Sequence, residues 1–262
     1  MIEVPLFFTL AVDIVGGIIT ARLNRPQKMN AFTAELLDEL EELFNFIKDN
    51  SEIEVLILST VSDSFFSAGV DVNWFVSLKE EDAISVSRRF HEVFNKLETL
   101  PIPVLTIVKG TCFTAGMEMI YCSDLIFCTP NAKFAQLEVK YGITPGAGGT
   151  QRLIRLVGPL KAKEIIYSGI PIGAEEAHRI GLINHIYNND EIEGKVLQFA
   201  HTLEKNSIRA IKECKSMIKL AIYDNVEGFE KEEEVFKEDF ASLEPKQRLS
   251  KVIEKIQHKK EK

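Results

Sequence analysis

Three short, uninterrupted runs of apolar residues, separated by segments of helical periodicity, constrain the fold of this chain more than any other feature. The runs are Val55–Ser59, Val104–Val108 and Leu125–Cys128. An unbroken apolar run of this length predicts a strand that is buried on both faces, as the strands of parallel sheets are. Because parallel strands need long, right-handed connections, which helices supply, the pattern predicts an α/β fold.

The segments around these strands carry signals of their own. Leu6–Leu23 alternates around two glycines and is predicted to be a β-hairpin. Thr33 has the chemistry of a helix N-cap and predicts a helix that ends near Lys48. A second long helix is predicted over Glu81–Leu97, and Phe65–Asp71, which is rich in small residues, is expected to be a loop.

Composition excludes several classes of protein. The chain has 262 residues and a net charge of −8 at pH 7, which argues against a nucleic-acid partner because phosphate binding needs a basic surface. No apolar stretch approaches the roughly 20 residues of a membrane-spanning helix, so we expect a soluble, cytoplasmic protein without a membrane partner. The four cysteines form no CxxC pair and the histidines lack metal-ligand spacing, so reduced thiols and no metal are predicted.

Two glutamates lie close in sequence to segments that are rich in glycine. Glu118 ends the segment Gly110–Glu118, and Glu138 precedes the turn Pro145–Thr150. Two carboxyl groups that face one pocket can move protons while main-chain N–H groups bind an oxyanion. The pair therefore predicts an acid–base site, and the alternative for each glutamate is an ordinary contact at the protein surface.

Two loops of small residues are candidates for binding the oxyanion. In Ser67–Asp71, Gly69 permits a sharp turn that would direct the N–H of Val70 into a cavity. Thr114–Glu118 begins a helix, whose first N–H groups have no intrahelical acceptor. Each loop alone is also compatible with a purely structural role, as is the close turn Pro145–Thr150. The turn Pro145–Thr150 has the glycine spacing of neither a P-loop nor a dinucleotide-binding fingerprint.

These segments resemble the crotonase superfamily, the enoyl-CoA hydratase/isomerase family, and their motifs are closest to those of enoyl-CoA hydratases. The similar segments are Leu23–Ala31, Phe66–Val72, Gly110–Asp124, Leu137–Leu153 and Gly173–Ile183. The resemblance implies a spiral of β-β-α units over residues 1–190 and a C-terminal helical region over 191–262. In this family the C-terminal region covers the acyl-CoA site and forms a homotrimer or a dimer of trimers.

The resemblance also implies a reaction and the residues that perform it. An acyl-CoA thioester would be the substrate, and the backbone N–H groups of Val70 and Ala115 would hold its enolate oxygen. Glu118 and Glu138 would add water across the double bond of a 2-enoyl-CoA, with Gly146 positioning the water. No cofactor is implied. The residues implied to bind CoA are Lys28, Met29, Ala68, Asp71 and Val72.

The glutamate pair separates hydration from other reactions of the family. Simple enoyl-CoA isomerases usually keep only the equivalent of Glu138, so the presence of Glu118 favours a hydratase. Ala115, preceded by Thr114, stands where hydratases commonly carry consecutive glycines. This departure leaves two alternatives, an isomerase or a decarboxylase acting on a CoA- or carrier-protein-bound chain. A non-enzymatic acyl-CoA-binding protein is a third alternative, which the intact glutamates argue against.

Overall fold

The computed structural model describes residues 4–223, which form ten strands and eight helices. The strands are β1 (Leu10–Val15), β2 (Ile18–Leu23), β3 (Val55–Thr60), β4 (Phe65–Ser67), β5 (Val104–Val108), β6 (Thr111–Phe113), β7 (Leu125–Cys128), β8 (Lys133–Ala135), β9 (Ile172–Gly173) and β10 (His185–Ile186). The helices are α1 (Ala34–Asp49), α2 (Val72–Ser77), α3 (Ala83–Glu98), α4 (Ala115–Ile120), α5 (Gly149–Ser168), α6 (Ala174–Arg179), α7 (Ile192–Lys205) and α8 (Ile208–Tyr223). Three short 3-10 turns cover Pro26–Lys28, Glu80–Asp82 and Glu138–Tyr141.

From β3 to β8, successive strands alternate between two sheets, so this part of the chain winds as a spiral. The first sheet has the order β1-β2-β3-β5-β7-β10, and the second has the order β4-β6-β8-β9. Apart from the antiparallel hairpin β1–β2 and the antiparallel pair β8–β9, all neighbours are parallel. Each repeat thus places one strand in each sheet before a helix returns the chain. The α/β fold with β-β-α units that the sequence predicts is confirmed.

The second sheet contains a correction to the sequence prediction. Phe65–Asp71 was expected to be a loop throughout, but its first three residues are strand β4, which pairs in parallel with β6. The short strands β6 and β8 were also missed. Strands of three residues are too short to show a periodic pattern, so only their pairing with neighbours reveals them.

Alternate residues of the first sheet enter two separate hydrophobic cores. Leu56 and Leu58 of β3 pack in the larger core, whereas Val55 and Ile57 face a smaller one. This follows from the two-residue period of a strand, and it explains why the apolar runs are unbroken. Helix α1 contributes its apolar side to the larger core, and α7 contributes Ile192, Val196 and Ala200 to the smaller.

Helix α7 packs against the first sheet through the smaller core. The first of two compact units runs to Ile208, and the second, which starts at Arg209, is described as far as Tyr223. The charged stretch Glu230–Asp239, predicted to be the wet face of a helix, lies outside the described residues. The extent of a C-terminal region over 191–262 therefore stays a prediction. None of the helices within residues 4–223 is long and apolar enough to cross a membrane.

The cysteines are free, and a side-chain hydrogen bond caps the start of α1. All four cysteines are free, and Cys112, Cys122 and Cys128 are buried whereas Cys214 is exposed. The hydroxyl of Thr33 accepts a hydrogen bond from the backbone N–H of Leu36 at 3.3 Å. Thr33 is therefore the N-cap of α1, as predicted.

Removing this cap should measurably destabilise the protein. In Thr33→Ala the N–H of Leu36 loses its acceptor, so we expect the free energy of unfolding to fall by about 1 kcal/mol. The matched control is Thr33→Ser, which keeps a hydroxyl at the same position and should stay close to the wild type. Urea unfolding followed by circular dichroism measures both, and equal stability of the Ala and Ser variants would contradict a capping role.

Candidate active site

Glu118 is a buried carboxylate on α4 that is held by the turn preceding α5. Only 2% of the residue is exposed, and its Oε1 accepts hydrogen bonds from the N–H groups of Ala147 and Gly149, both at 2.8 Å. Burial raises the pKa of Glu118, while the two N–H donors and the nearby Arg152 guanidinium partly offset that rise. The carboxyl group is thus locked in position, and one oxygen, Oε2, has no hydrogen-bond partner among residues 4–223.

A hydrogen bond from α3 holds the same turn from its other side. The hydroxyl of Ser87 donates to the carbonyl oxygen of Gly146 at 2.6 Å. That carbonyl and the N–H of Ala147 belong to one peptide group, which is therefore bonded at one end to Ser87 and at the other to Glu118. Hydrogen bonds in such a chain polarise one another. The hydrogen bond from Ser87 therefore strengthens the one that the Ala147 N–H donates to Glu118.

Arg152 gives the turn a second attachment to α3. Its Nη1 donates to the carbonyl oxygen of Ala147 at 3.1 Å, while Nε contacts Glu98 at 2.9 Å and Nη2 contacts Asn95 at 2.5 Å. A β-carbon on Gly148, which has φ 106°, would lie 2.1 Å from Nη1 of Arg152. Glycine at position 148 is therefore favoured by its positive φ, and any side chain there would also have to displace the Arg152 guanidinium.

Glu138 is the second buried carboxyl group and begins the 3-10 turn after β8. The residue is 5% exposed. Burial, followed by the charge of Glu118, raises the pKa of Glu138 to about 7, although a backbone hydrogen bond acts in the opposite direction. Glu118 is therefore close enough for its charge to act on Glu138. At neutral pH a substantial fraction of Glu138 carries a proton.

A buried amide and a buried phenol lie behind Glu138. When the Gln136 amide is oriented so that its NH₂ group faces acceptors, Nε2 lies 3.0 Å from each carboxylate oxygen of Glu138. The other end of that amide then lies 3.3 Å from the hydroxyl oxygen of Tyr121. Both residues are buried, so contacts with Glu138 and Tyr121 set the orientation of the Gln136 amide.

Two backbone N–H groups beside these carboxyls have no acceptor within residues 4–223. One belongs to Val70, which follows β4 and Gly69, and the other belongs to Ala115, the first residue of α4. The two loops that carry them touch: Oγ1 of Thr114 lies 1.6 Å from the position that a β-carbon on Gly69 would take. Both donors predicted from the sequence are thus unused and sit on adjacent loops.

Gly146, the residue expected to position the water, borders open space. It is exposed, its N–H has no acceptor in the described part of the chain, and an added β-carbon would meet only Oγ of Ser87, at 4.0 Å. The next residue, Ala147, donates to Glu118. A small molecule therefore has room to bind the Gly146 N–H next to that carboxylate.

The residues expected to bind CoA lie together on one rim. The N–H of Ala68 donates to the carbonyl oxygen of Met29 at 3.0 Å, which joins the turn after β2 to the first oxyanion loop. Lys28, Met29 and Val72 are all exposed there, with Met29 and Val72 more than half accessible. This arrangement exposes two apolar side chains and a cation beside the loop that carries Val70.

The carboxylate of Asp71 caps a helix. Its Oδ1 accepts hydrogen bonds from the N–H groups of Asn73 at 3.0 Å and Trp74 at 3.3 Å, so it caps α2. Its Oδ2 lies 4.0 Å from the guanidinium of Arg25. A role of Asp71 toward CoA would therefore fall to its backbone, because its side chain is already engaged.

Four polar residues around the site were missed from the sequence: Ser87, Tyr121, Gln136 and Arg152. Two of them carry a local signal, since Tyr121 lies one helical turn after Glu118 and Gln136 lies two residues before Glu138. Ser87 and Arg152 act through contacts with distant segments and carry no such signal. Within residues 4–223, no group of three or more His, Cys, Asp and Glu side chains is arranged to hold a metal ion.

The sequence and the fold of this chain are both similar to those of known proteins. A family model for enoyl-CoA hydratase/isomerase matches residues 13–262. A crotonyl-CoA hydratase of Syntrophomonas wolfei is 33% identical over 89% of this chain and 90% of its own length. A short-chain-enoyl-CoA hydratase of Clostridium acetobutylicum is 34% identical over 92% of both chains. The crystal structure of an enoyl-CoA hydratase from Bacillus anthracis superposes with a TM-score of 0.91, at 28% identity, over 95% of this chain and 97% of that one.

Proposed function

This chain belongs to the enoyl-CoA hydratase/isomerase family, and on that premise we propose that it is an enoyl-CoA hydratase, which adds water to a 2-enoyl-CoA thioester. The observation that carries the proposal is the placement of two buried carboxyl groups, Glu118 and Glu138, beside two unused backbone N–H groups. The relatives from S. wolfei and C. acetobutylicum are a crotonyl-CoA hydratase and a short-chain-enoyl-CoA hydratase, which favours a short acyl chain in the substrate of this protein.

The N–H groups of Val70 and Ala115 would bind the thioester oxygen. Addition of water to the double bond moves negative charge onto that oxygen, so donors aimed at it stabilise the transition state more than the substrate. Loss of one such donor typically lowers the rate by about 100- to 1,000-fold. Their lack of any other acceptor among residues 4–223 supports this role, because the protein does not satisfy them itself.

The two glutamates would divide the proton transfers between them. Glu138, with a pKa raised to about 7, would supply a proton to the α-carbon. Glu118, whose anion is stabilised by two N–H donors, would accept a proton from the water whose oxygen bonds to the β-carbon. Two carboxyls whose environments differ in this way suit acid and base roles. The N–H of Gly146 would hold the water beside Glu118.

The acyl-CoA would enter over the rim described above. Lys28, Met29, Ala68, Val72 and the backbone of Asp71 would contact the CoA portion, which leaves the thioester at the Val70 and Ala115 donors. The reaction consists of proton transfers and the formation of one C–O bond. No electron acceptor or donor takes part, and the proposal therefore includes no cofactor.

Replacing either glutamate should abolish most of the turnover. We expect Glu118→Gln and Glu138→Gln each to lower kcat by at least about 100-fold, because general acid–base catalysis contributes about 100- to 10,000-fold. The assay follows loss of the enoyl-thioester absorbance of crotonyl-CoA. The matched control is Glu52→Gln, at an exposed residue before β3, which should retain wild-type turnover.

The products decide between the candidate reactions. Mass spectrometry of the acyl-CoA distinguishes hydration, which adds the mass of one water, from isomerisation, which leaves the mass unchanged. Wild-type turnover in both glutamine variants would contradict the mechanism, and an isomerised product without a hydrated one would favour the isomerase alternative. Absence of turnover on a panel of enoyl-CoA thioesters would favour an acyl-CoA-binding protein.

The rate should depend on pH on both sides of neutrality. Hydration needs Glu138 protonated and Glu118 ionised, so kcat/KM should fall as pH rises through about 7, where Glu138 loses its proton. It should also fall at lower pH as Glu118 gains one. We expect about a tenfold loss per pH unit on the alkaline side. Measurement of kcat/KM for crotonyl-CoA from pH 5 to pH 9 tests this, and a flat profile above neutrality would exclude Glu138 as the acid.

We propose further that the protein assembles as a homotrimer or a dimer of trimers. On and just after α5, Leu160, Tyr167 and Ile170 are 81%, 71% and 62% exposed, and apolar side chains of this size are usually covered by a partner surface. Light scattering at micromolar concentration should give a mass of three or six chains. A monomer under these conditions would refute the assembly and leave the catalytic proposal unaffected.

A further inference from the structure

Thr114 holds a backbone conformation that its side chain disfavours. Its φ and ψ are 49° and −121°. Positive φ is uncommon for any residue other than glycine, and for a β-branched residue it is a genuine outlier. Strain of this kind persists only where surrounding interactions enforce it, and it concentrates at functional sites.

Hydrogen bonds on both sides enforce the conformation. The N–H of Thr114 donates to the carbonyl oxygen of Ala135 in β8 at 2.9 Å, and its carbonyl oxygen accepts from the N–H of Glu118 at 3.0 Å. The residue is thus clamped between a strand of the second sheet and the helix that carries a proposed catalytic carboxyl. A glycine would satisfy the same bonds without strain, so the side chain itself needs an explanation.

The side chain fills a space that the other oxyanion loop leaves open. Oγ1 of Thr114 lies 1.6 Å from the position of a β-carbon on Gly69, which has φ 101°. A second contact has the reverse arrangement, because a β-carbon on Gly116 would lie 2.9 Å from Cβ of Ser67. The two loops therefore interlock, with a glycine of each receiving a side chain of the other.

The contacts stand directly beside the two unused donors. Val70 follows Gly69 in one loop, and Ala115 lies between Thr114 and Gly116 in the other. The hydroxyl of Thr114 has no hydrogen-bond partner among residues 4–223, so its visible interaction is the packing against Gly69. The packing thus joins the two segments that carry the donors.

We propose that Thr114 is a positioning residue that sets the separation and direction of the Val70 and Ala115 N–H groups by packing against Gly69. The catalytic consequence rests on the proposed function, whereas the effect on the two donors does not. A small misplacement of groups that bind the transition state has a large effect on rate, because their contribution depends on geometry. Thr114 itself transfers no proton.

The kinetic test uses variants that separate shape from strain. Thr114→Gly removes the packing and relieves the positive φ, so we expect kcat to fall by about tenfold or more while the thermal midpoint does not fall. KM should change by less than about twofold, because the CoA rim is untouched. Thr114→Val, which keeps the β-branched shape without the hydroxyl, should restore most of the kcat that Thr114→Gly loses.

Each kinetic outcome has a defined meaning. Wild-type kcat in Thr114→Gly would overturn the proposal. Equal losses in the Gly and Val variants would also overturn it, because the hydroxyl rather than the shape would then be required. If Thr114→Gly does not fold, Thr114→Ala supplies the same comparison, since it also lacks the atom that contacts Gly69.

A spectroscopic test reports on the two donors without any turnover. The probe is 4-dimethylaminocinnamoyl-CoA, whose absorbance moves to longer wavelength when hydrogen bonds polarise its thioester carbonyl. At saturation the wild type should shift the band, and Thr114→Gly should shift it less. A wild-type protein that shifts the band but hydrates no enoyl-CoA would refute the proposed function and leave this inference standing. An equal shift in Thr114→Gly, or none in the wild type, would refute the inference.

Discussion

The hydrogen bonds from Ala147 and Gly149 to the carboxylate of Glu118 organise the rest of the site. A buried carboxylate is costly unless donors surround it, so the turn before α5 must present its N–H groups inward. That requirement explains the glycines of the turn, the Arg152 guanidinium behind it and the Ser87 hydroxyl on α3. Helices α3, α4 and α5 are thereby joined through one ionisable group, although they come from different repeats of the spiral.

The strong signals in the sequence correspond to features that are local in the chain. The apolar runs of β3, β5 and β7, the hairpin β1–β2 and the Thr33 cap are all decided by neighbouring residues, and the structure contains each of them. Glu118 and Glu138 were recognisable because small residues flank them and because the segments resemble a known family. In the structure both glutamates are buried and Glu118 is close enough to act on the pKa of Glu138, which spacing alone did not establish.

What the sequence did not reveal depends on contacts between distant segments. The second sheet is made of strands of two or three residues, which are stable only because β4, β6 and β8 pair with one another. Ser87 is 59 residues from the carbonyl that it contacts. The carboxylate of Asp71 caps α2, which is one of the roles that its loop left open. In each case the local pattern fits several roles, and tertiary packing selects one of them.

The interlocking of Thr114 with Gly69 has a consequence for how such a protein evolves. Any side chain larger than hydrogen at position 69 would collide with Oγ1 of Thr114, and position 69 also has a φ of 101°. The two positions are therefore coupled: a substitution at residue 69 meets the Thr114 side chain in addition to its own disfavoured φ, so it costs less once Thr114 has changed. Because a substitution in one loop changes the cost of a substitution in the other, the two loops show epistasis. The order in which mutations occur therefore decides which related sequences can evolve.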